Sequence, residues 1–296
     1  MQVTIQDRLY TFTSSVRQNP EIRRSFNELA GRVFDLDFEP WYQSGWWGDG
    51  YQPYALVADG QVVANASFSL MALSWRGRTL RLGQIGTVMT DPDWRGKGCS
   101  GWLMKRILDD WQDRCDALFL FGNDSVVNFY PKFGFKPAHE YECLRPSPVR
   151  SGSSRKLDMS LAADRERLLE RHRAGNPFAV LSLQSNPGMI MFYCSQFMRN
   201  HIHWDEAHQA VVIAEPTDDG LLIYDIFGGH GYGLDAILAA ISPETAGIIR
   251  FGFTPLDTDG CRMRERKEED STFFVLARGE SLFDQHQLMI PLLAHT

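Results

Sequence analysis

The segment from Gln84 to Leu108 restricts what this chain can fold into more than any other segment does. It reads QIGTVMTDPDWRGKGCSGWLMKRIL. Ile85–Thr90 is a β-prone run that ends at a turn containing Pro92, and glycines follow in a short loop. After the loop, apolar residues recur at the spacing of one helix face, at Leu103, Ile107, Leu108 and Trp111. The segment therefore predicts a strand, a glycine loop and the N-terminus of a helix.

This arrangement is suited to holding a phosphate group. The amides of a first helical turn have no intrahelical partner, and the helix dipole adds partial positive charge there. Gly96 and Gly98 let the backbone approach an anion without a Cβ in the way, and Arg95 and Lys97 add two full charges. The spacing fits neither the GxxxxGK[ST] nor the GxGxxG motif, so the loop alone leaves a plain tight turn open.

The wider pattern resembles the acetyl-CoA motif of the GNAT superfamily of N-acetyltransferases. In that motif a strand ends in V/T-x-x-P or V-x-P, and R/Q-x-x-G-x-G/A opens a helix. The matching residues here are Thr90-Asp91-Pro92 and Arg95-Gly96-Lys97-Gly98-Cys99-Ser100, with Ser100 in place of the usual Gly or Ala. A second element, Asn128-Phe129-Tyr130-Pro131-Lys132-Phe133-Gly134-Phe135, resembles the family's N-x-x-x-Y-x-K-x-GF element. The resemblance covers the first half of the chain. It implies an α/β (α+β) GNAT fold with a mixed, mostly antiparallel central sheet flanked by helices.

The resemblance also implies acetyl-CoA as co-substrate and assigns residues to it. A bulged strand would offer the amides of Val88, Met89 and Thr90 to the pantetheine and the thioester carbonyl. The pyrophosphate would lie on Arg95, Gly96, Lys97, Gly98, Cys99, Ser100 and Gly101. Asn128 is either a cofactor contact or a helix cap. Tyr130 is the candidate general acid, because a phenol with a pKa of ~10 stays protonated at neutral pH yet can protonate a thiolate. The alternative for Tyr130 is a packed tyrosine that only hydrogen-bonds the sulfur.

The general base stays open at this stage. Many GNAT relatives use a glutamate on the strand that corresponds to Thr79–Thr90. Here that strand contains no acidic residue, only Gln84. The Eis-type relatives use their C-terminal carboxylate, which would here belong to Thr296. A water relay and an acid near the aromatic segment are further alternatives, the acids being Asp35, Asp37, Glu39 and Asp49.

An aromatic segment between Phe38 and Tyr54 reads FEPWYQSGWWGDGYQPY. Glycine, proline and aspartate interrupt it, which predicts a loop or a short broken helix. Its aromatic side chains either pack as a satellite cluster or form the wall of an acceptor pocket. The candidate substrate residues are Trp41, Trp46, Trp47 and Tyr51.

The length of 296 residues predicts two domains, since single hydrophobic cores stop growing at roughly 250–300 residues. Proline, serine and glycine cluster at 146–156, which predicts a linker. We therefore expect a catalytic, acetyl-CoA-binding GNAT domain at 1–145 and a partial GNAT-like domain at 157–296. The second would hold no CoA, because its strand-to-helix turn at 228–233 lacks the R-x-x-G-x-G pattern. This organisation is distantly similar to the Eis-type acetyltransferases, although the chain is too short to add their sterol-carrier-like domain.

The composition limits the classes of partner that this chain is expected to bind. A net charge of −7 and a pI near 5.6 argue against a nucleic-acid surface, and no signal peptide or membrane-spanning run is present. Five scattered cysteines without a CxxC predict reduced thiols in the cytoplasm. His201, His203 and His208 lie near Asp205 and Glu206, but we expect no metal there because no further ligand is fixed. The oligomeric state stays open, and a homo-oligomer is compatible with the sequence.

Two functions follow from these observations. The first is an N-acetyltransferase that moves the acetyl group of acetyl-CoA directly to a primary amine in a ternary complex. The acidic balance and the aromatic segment favour a cationic small molecule or peptide as acceptor. The alternative is a non-catalytic acyl-CoA-binding or regulatory GNAT-like protein. Only the enzyme needs Tyr130 near the sulfur and an open acceptor cleft.

Overall fold

The structure is a computed structural model that describes residues 1–243 and 247–296. Its strands are β1 (Gln2–Ile5), β2 (Arg8–Thr13), β3 (Tyr51–Ala58), β4 (Gln61–Trp75), β5 (Arg78–Thr90), β6 (Ala117–Gly122), β7 (Lys136–Pro137), β8 (Glu140–Pro146), β9 (Arg155–Lys156), β10 (Leu181–Leu183), β11 (Ile202–Asp205), β12 (Ala210–Thr217), β13 (Gly220–Gly228), β14 (Ile248–Phe251), β15 (Arg262–Arg266) and β16 (Thr272–Ala277). Its α-helices are α1 (Pro20–Phe34), α2 (Glu39–Gln43), α3 (Cys99–Trp111), α4 (Ala162–Ala174), α5 (Pro187–Phe192), α6 (Leu234–Ile241) and α7 (Leu282–Gln285). None of these described helices is long and apolar enough to cross a membrane.

The first sheet has the strand order β1-β2-β3-β4-β5-β6-β16-β7. β5 and β6 run parallel and are connected through α3, whereas the other described pairs of this sheet are antiparallel. The helix buries Leu103, Met104 and Ile107 in the core of this sheet, as their spacing predicts. β3 and β10 lie end to end along the same edge of β4.

The second sheet has the order β15-β8-β14-β13-β12-β11-β9. Its one parallel pair among the described strands is β13 with β14, connected through α6. This crossover repeats the β5-α3-β6 arrangement of the first sheet. The chain thus contains two mixed, mostly antiparallel sheets flanked by helices, which confirms the fold class expected from the sequence.

The two sheets exchange strands along the chain. β16 belongs to the C-terminal half, yet it lies between β6 and β7 in the first sheet. β8 precedes the predicted linker, yet it lies between β14 and β15 in the second sheet. The division at 146–156 stays a prediction, and neither sheet is confined to one side of it.

A shared core joins the sheets. Met71, Leu82 and Phe119 of the first sheet belong to the same buried cluster as Val211 and Phe227 of the second. Burying these side chains contributes about 1.5–3 kcal/mol each, so the core stabilises both sheets at once.

Several element bounds agree with the sequence patterns. Apolar spacing predicts helices at 20–34 and 234–241, and β-prone runs predict strands at 117–122 and 272–277; α1, α6, β6 and β16 have these bounds, and Asn19 caps α1 by accepting from two backbone amides. No pattern predicts the hairpin β1–β2 or the short strands β9, β10, β11 and β15. Asn123-Asp124-Ser125 predicts the cap of a short helix that runs to Lys132, and this prediction is wrong: two 3-10 turns form instead, and Asn123 donates to Asp270.

Candidate active site

The predicted phosphate loop forms a left-handed turn at the start of α3. Gly96 and Gly98 have φ angles of +73° and +78°, and Gly98 is the N-cap residue. No side chain caps this helix, and its first intrahelical bond runs from Trp102 N to Gly98 O. A Cβ on Gly98 would lie 3.2 Å from Ile5 and 3.3 Å from Gln6, so a larger residue has little room. The first-turn amides are therefore open to an anion, as a pyrophosphate site requires.

The charged residues of the loop are held beside it by local contacts. Arg95 is exposed, and its Nε lies 3.5 Å from Thr90 O. The Lys97 ammonium donates to Asp93 O and lies 4.5 Å above the Trp94 ring. Both cations stay within a side chain's length of the loop and can turn towards a bound anion.

The remaining loop residues contribute through the backbone. Cys99 is buried, so it can offer only its amide. Ser100 Oγ lies 2.8 Å from Thr90 Oγ1, which joins the start of α3 to the end of β5. A Cβ on Gly101 would contact only Phe133, at 3.9 Å.

β5 and β6 separate towards this loop. They pair only over Leu82–Gln84, and after that residue β5 has no described strand partner on its β6 side. Val88, Met89 and Thr90 lie in this separated segment, where Met89 is buried and the other two are half-buried. The unpaired edge leaves alternate backbone groups available to a ligand.

A bulge distorts β5 in the same segment. The register with β4 shifts between Asn65 and Ser67, and Thr87 has a φ of +48°, which is rare for a β-branched residue. Asn65 Nδ2 donates to Thr87 O at 3.0 Å, and the Thr87 hydroxyl lies 2.9 Å from Tyr51 Oη. Such strain is typical of functional sites. Thr87 was not among the residues expected from the sequence.

Tyr130 lies at the open end of β6. A Cβ on Gly122, the last residue of that strand, would be 2.5 Å from the Tyr130 ring, and the Phe274 ring of β16 packs 5.5 Å away. Burial raises the pKa of Tyr130 to about 12, so the phenol is protonated at neutral pH. Its hydroxyl makes no hydrogen bond to any residue within 1–243 and 247–296. Asn128 is exposed and caps neither of the adjacent 3-10 turns.

The aromatic segment packs into a cluster between α1 and α5. The Trp41 and Trp47 rings stack at 5.4 Å, and Trp41 Nε1 donates to Gly188 O at 2.8 Å. Trp47 is only 4% exposed and donates to Tyr51 O, whereas Trp46 is half-buried. The aromatic side chains therefore pack as a cluster, and part of this cluster faces a cavity. Whether the cavity is an acceptor pocket stays a prediction.

That cavity has a volume of about 1070 Å³ and lies where the two halves of the chain meet. β3 and β10 flank a gap on the edge of β4, where Leu70 N donates to Gly50 O and Gln184 N to Ala72 O. Trp41, Trp46 and Tyr51 line the cavity, but Trp47 does not. The other lining residues are Leu36, Phe38, Gly45, Gly48, Gly50, Leu70, Met71, Ala72, Thr79, Arg81, Thr87, Gln184, Ser185, Asn186, Pro187, Gly188, Met189, Phe192, Tyr193, Phe197, Met198 and Thr296.

Residues 184–198 are the part of this wall that the sequence did not reveal. Asn186 caps α5 by accepting from Met189 N, and a π-helical turn follows at 193–197. A π-turn inside a helix is frequent at functional sites. The Asn186-Pro187 start of the helix is visible in the sequence, but its contact with the aromatic segment is not.

The last residue of the chain reaches the bulge. Thr296 O accepts from Gln84 Nε2 at 3.0 Å, and a Cβ on Gly86 would lie only 2.3 Å from the same oxygen. Tyr193 Oη donates to His295 O at 2.7 Å, and the His295 ring stacks on Phe121 at 4.4 Å. Burial lowers the pKa of His295 to about 3, so it is neutral. The chain end is thus fixed beside Thr87.

The four acids considered as alternative bases do not line the cavity. Glu39 is paired with Arg23 at 2.8 Å, which holds its pKa below the ordinary value, and Asp49 is 2.5 Å from Arg17. Asp37 accepts from the backbone of Glu39, and Asp35 is the exposed C-cap of α1.

The net negative charge of the chain suggests acidic groups around a cationic acceptor, but the described lining residues do not provide them. They include no Asp or Glu, and their one charged side chain is that of Arg81. The histidine group also lies elsewhere: His208 Nδ1 is 2.6 Å from Asp205 Oδ2, and His201 faces Glu215 at 3.9 Å. Within 1–243 and 247–296 no three such residues converge as metal ligands, and the absence of a metal stays a prediction.

Comparison with known proteins finds a family match in the first half of the chain. Residues 17–138 match the family model described as an acetyltransferase (GNAT) domain. This agrees with the resemblance of the loop and of the Asn128–Phe135 element. A search of curated proteins found no match.

Solved structures show the same fold over most of the chain. A probable N-acyltransferase of unknown function from Enterococcus faecalis is 12% identical to this chain, with a TM-score of 0.57. The superposition covers 87% of this chain and 70% of the Enterococcus protein. A GCN5-related N-acetyltransferase from Kribbella flavida is 16% identical with a TM-score of 0.56, covering 90% and 71%. Eis1 from Mycobacterium abscessus is 13% identical with a TM-score of 0.53, covering 89% and 72%. These similarities extend the GNAT-type fold beyond the matched domain.

Proposed function

We propose that this protein is an N-acetyltransferase that moves the acetyl group of acetyl-CoA to a primary amine of a small molecule or peptide in a ternary complex. The observation that carries the proposal is the shape of β5. Its loop end opens the anion site of α3, and its bulge at Thr87 borders a cavity large enough for an acceptor. A cofactor along the separated edge of β5 would bring its acyl end to the acceptor.

The residues present fit acetyl-CoA. The pyrophosphate would be held by the amides from Gly96 to Gly101 and by Arg95 and Lys97. The backbone of Val88, Met89 and Thr90 would bind the pantetheine and polarise the thioester carbonyl, a device that acts like an oxyanion hole. Asn128, exposed near the same end of β6, is a candidate for a further cofactor contact.

The reaction removes two protons from the amine nitrogen and delivers one to the sulfur. The amine reaches the site as an ammonium, loses one proton to a base, and its nitrogen attacks the thioester carbon. The nitrogen loses its second proton to solvent as the carbon–sulfur bond breaks. Tyr130 then donates its phenolic proton to the departing sulfur, and solvent returns a proton to the phenolate. The raised pKa of about 12 keeps Tyr130 protonated until that step.

Thr296 is the strongest candidate for the base. By the resemblance to the Eis-type relatives, the Thr296 oxygen beside Gly86 would belong to the carboxylate that acts as the base. Gln84 and the Tyr193–His295 contact hold it next to the bulge. A water relay from this carboxylate is the alternative for an amine that does not reach it directly.

The first experiment is a screen of primary amines with acetyl-CoA, read by thiol release. Extending the chain by Gly-Ser after Thr296 should slow turnover, because it replaces the carboxylate by an amide. Transfer in a ternary complex predicts initial-rate plots that intersect, and parallel plots would contradict it.

The non-catalytic alternative makes a different prediction. A regulatory acyl-CoA-binding protein would gain thermal stability from CoA, yet it would release no thiol with any amine in the screen. The cytoplasmic location, the homo-oligomer and the absence of nucleic-acid and membrane partners stay predictions.

A further inference from the structure

The cavity wall is apolar along most of its length. Trp41, Trp46, Met71, Met189 and Phe192 contribute rings and thioethers from both halves of the chain. Aromatic and methionine side chains of this kind bind alkyl and aryl groups through burial and close contact. A ligand that fills this part of the cavity must therefore have an apolar body.

Polar groups lie at the two ends of the wall. One end is the bulge, where the Tyr51 and Thr87 hydroxyls meet beside the Thr296 oxygen. Thr79 and Arg81 lie towards the start of β5, and Thr79 Oγ1 lies 3.3 Å from Gln184 Oε1. Six residues separate Arg81 from Thr87, which corresponds to about 20 Å along a strand.

The one charged side chain at the distal end of the described lining is that of Arg81. It is exposed, and its guanidinium makes no ion pair with any residue in the described ranges. The Asp116 carboxylate, which does not line the cavity, accepts from the Arg81 backbone amide at 2.7 Å. No carboxylate side chain among the described lining residues could pair with a second ammonium. A polycation would therefore place its additional charges either against an apolar wall or towards Arg81, and both are unfavourable.

We infer that the acceptor is an amphiphilic monoamine, with one primary amine at the bulge, an apolar alkyl or aryl body, and a neutral or anionic distal end. This inference rests on the proposed function and names its substrate class. It makes the expectation of a cationic acceptor, which the net negative charge suggested, more specific: the acceptor carries one amine and no further positive charge.

The experiment compares three probes of equal length below their micelle-forming concentrations: dodecylamine, 12-aminododecanoate and 1,12-diaminododecane, with acetyl-CoA at pH 8. We expect kcat/KM to be at least about ten-fold higher for 12-aminododecanoate than for the diamine, although the diamine has two amines. In the series butylamine, hexylamine, octylamine, each added methylene should lower KM about three- to four-fold while it is buried. A preference for 1,12-diaminododecane or spermidine would overturn the inference and leave the acetyltransferase in place.

A charge reversal tests the role of Arg81. Arg81→Glu should raise kcat/KM for the diamine and lower it for 12-aminododecanoate, changing their ratio by at least about five-fold, with dodecylamine little affected. Arg78→Glu is the matched control, because Arg78 is exposed on the same strand and does not line the cavity. Equal effects of the two variants would show only a general surface field and would contradict the assignment of Arg81.

A binding measurement tests the proposed substrate class independently of catalytic activity. If no amine supports thiol release, the proposed function fails, but the Tm shift produced by each probe still reports on the cavity. Dodecylamine should raise Tm and 1,12-diaminododecane should not. The reverse order would refute the substrate class without reference to catalysis.

Discussion

Gly86→Ala tests whether the end of the chain takes part in the active site. The substitution adds one methyl group to β5 at a position without a left-handed φ. Its Cβ would lie 2.3 Å from Thr296 O and 3.0 Å from Thr296 C, whereas ordinary contacts begin at 3.4 Å. Thr296 must therefore move by about 1 Å, and the hydrogen bond from Gln84 Nε2 would be broken.

The effects on stability and on turnover should differ greatly. Losing the Gln84 hydrogen bond costs about 0.5–1.5 kcal/mol of the free energy of unfolding, which a domain of this size tolerates. Misplacing a reacting group by about 1 Å costs on the order of 10²-fold in rate. We therefore expect kcat to fall about 10²-fold, while the CoA-dependent rise in Tm stays as in the wild type.

The assay is thiol release with acetyl-CoA and octylamine, with Tm measured with and without CoA. Gly279→Ala is the matched control, because a Cβ there meets no atom within 4 Å. Wild-type turnover in Gly86→Ala would show that Thr296 has no part in the chemistry. A lost CoA response would instead show that the substitution disturbs the cofactor site.

Four further predictions address the cofactor, the acid, the cavity and the pH dependence of stability. CoA should raise Tm by mass action, and Gly98→Glu should abolish the rise. Tyr130→Phe should lower kcat about 10²–10⁴-fold with the CoA response intact, and more than half the wild-type activity would make Tyr130 a packing residue. Trp46→Ala should raise the acceptor KM with the acetyl-CoA KM unchanged, whereas Trp47→Ala should lower the free energy of unfolding by about 3–5 kcal/mol, as calorimetry would show. Burial raises the pKa of Asp225 to about 7, so the native state binds this proton more tightly than the unfolded state does. This contribution to the free energy of unfolding is complete below pH ~4 and is lost as the pH rises through 7, a decrease of at most about 4 kcal/mol. Urea unfolding of Asp225→Asn at pH 5 and at pH 8 should not show this decrease.

The elements that the sequence predicts well are those with local causes. α1 has a capping asparagine and an apolar face, and the hairpin β3–β4 has its Asp59-Gly60 turn. The phosphate loop belongs to the same group, because its glycines and the following helix are neighbours in sequence. Local signals of this kind need no knowledge of the rest of the fold.

The cavity beside the bulge could not be predicted in this way. Its wall combines the segment that contains Trp41 and Trp46, the middle of β4, residues 184–198 and Thr296. β-propensity indicates that a segment is a strand, but it does not name the strand's partner. For that reason the aromatic segment was recognised, while the separate fates of Trp46 and Trp47 were not.

Strand exchange has a consequence for how the chain acquires its structure during synthesis. β6 is complete at Gly122, but its partner β16 begins at Thr272, so that edge stays open until most of the chain has been made. At roughly 5–20 residues per second, the delay is on the order of 10 s. An unpaired strand edge exposed for that long is a template for association with other chains. A nascent chain stalled shortly after residue 156 should therefore depend on chaperones, and neither half should reach its native sheet alone.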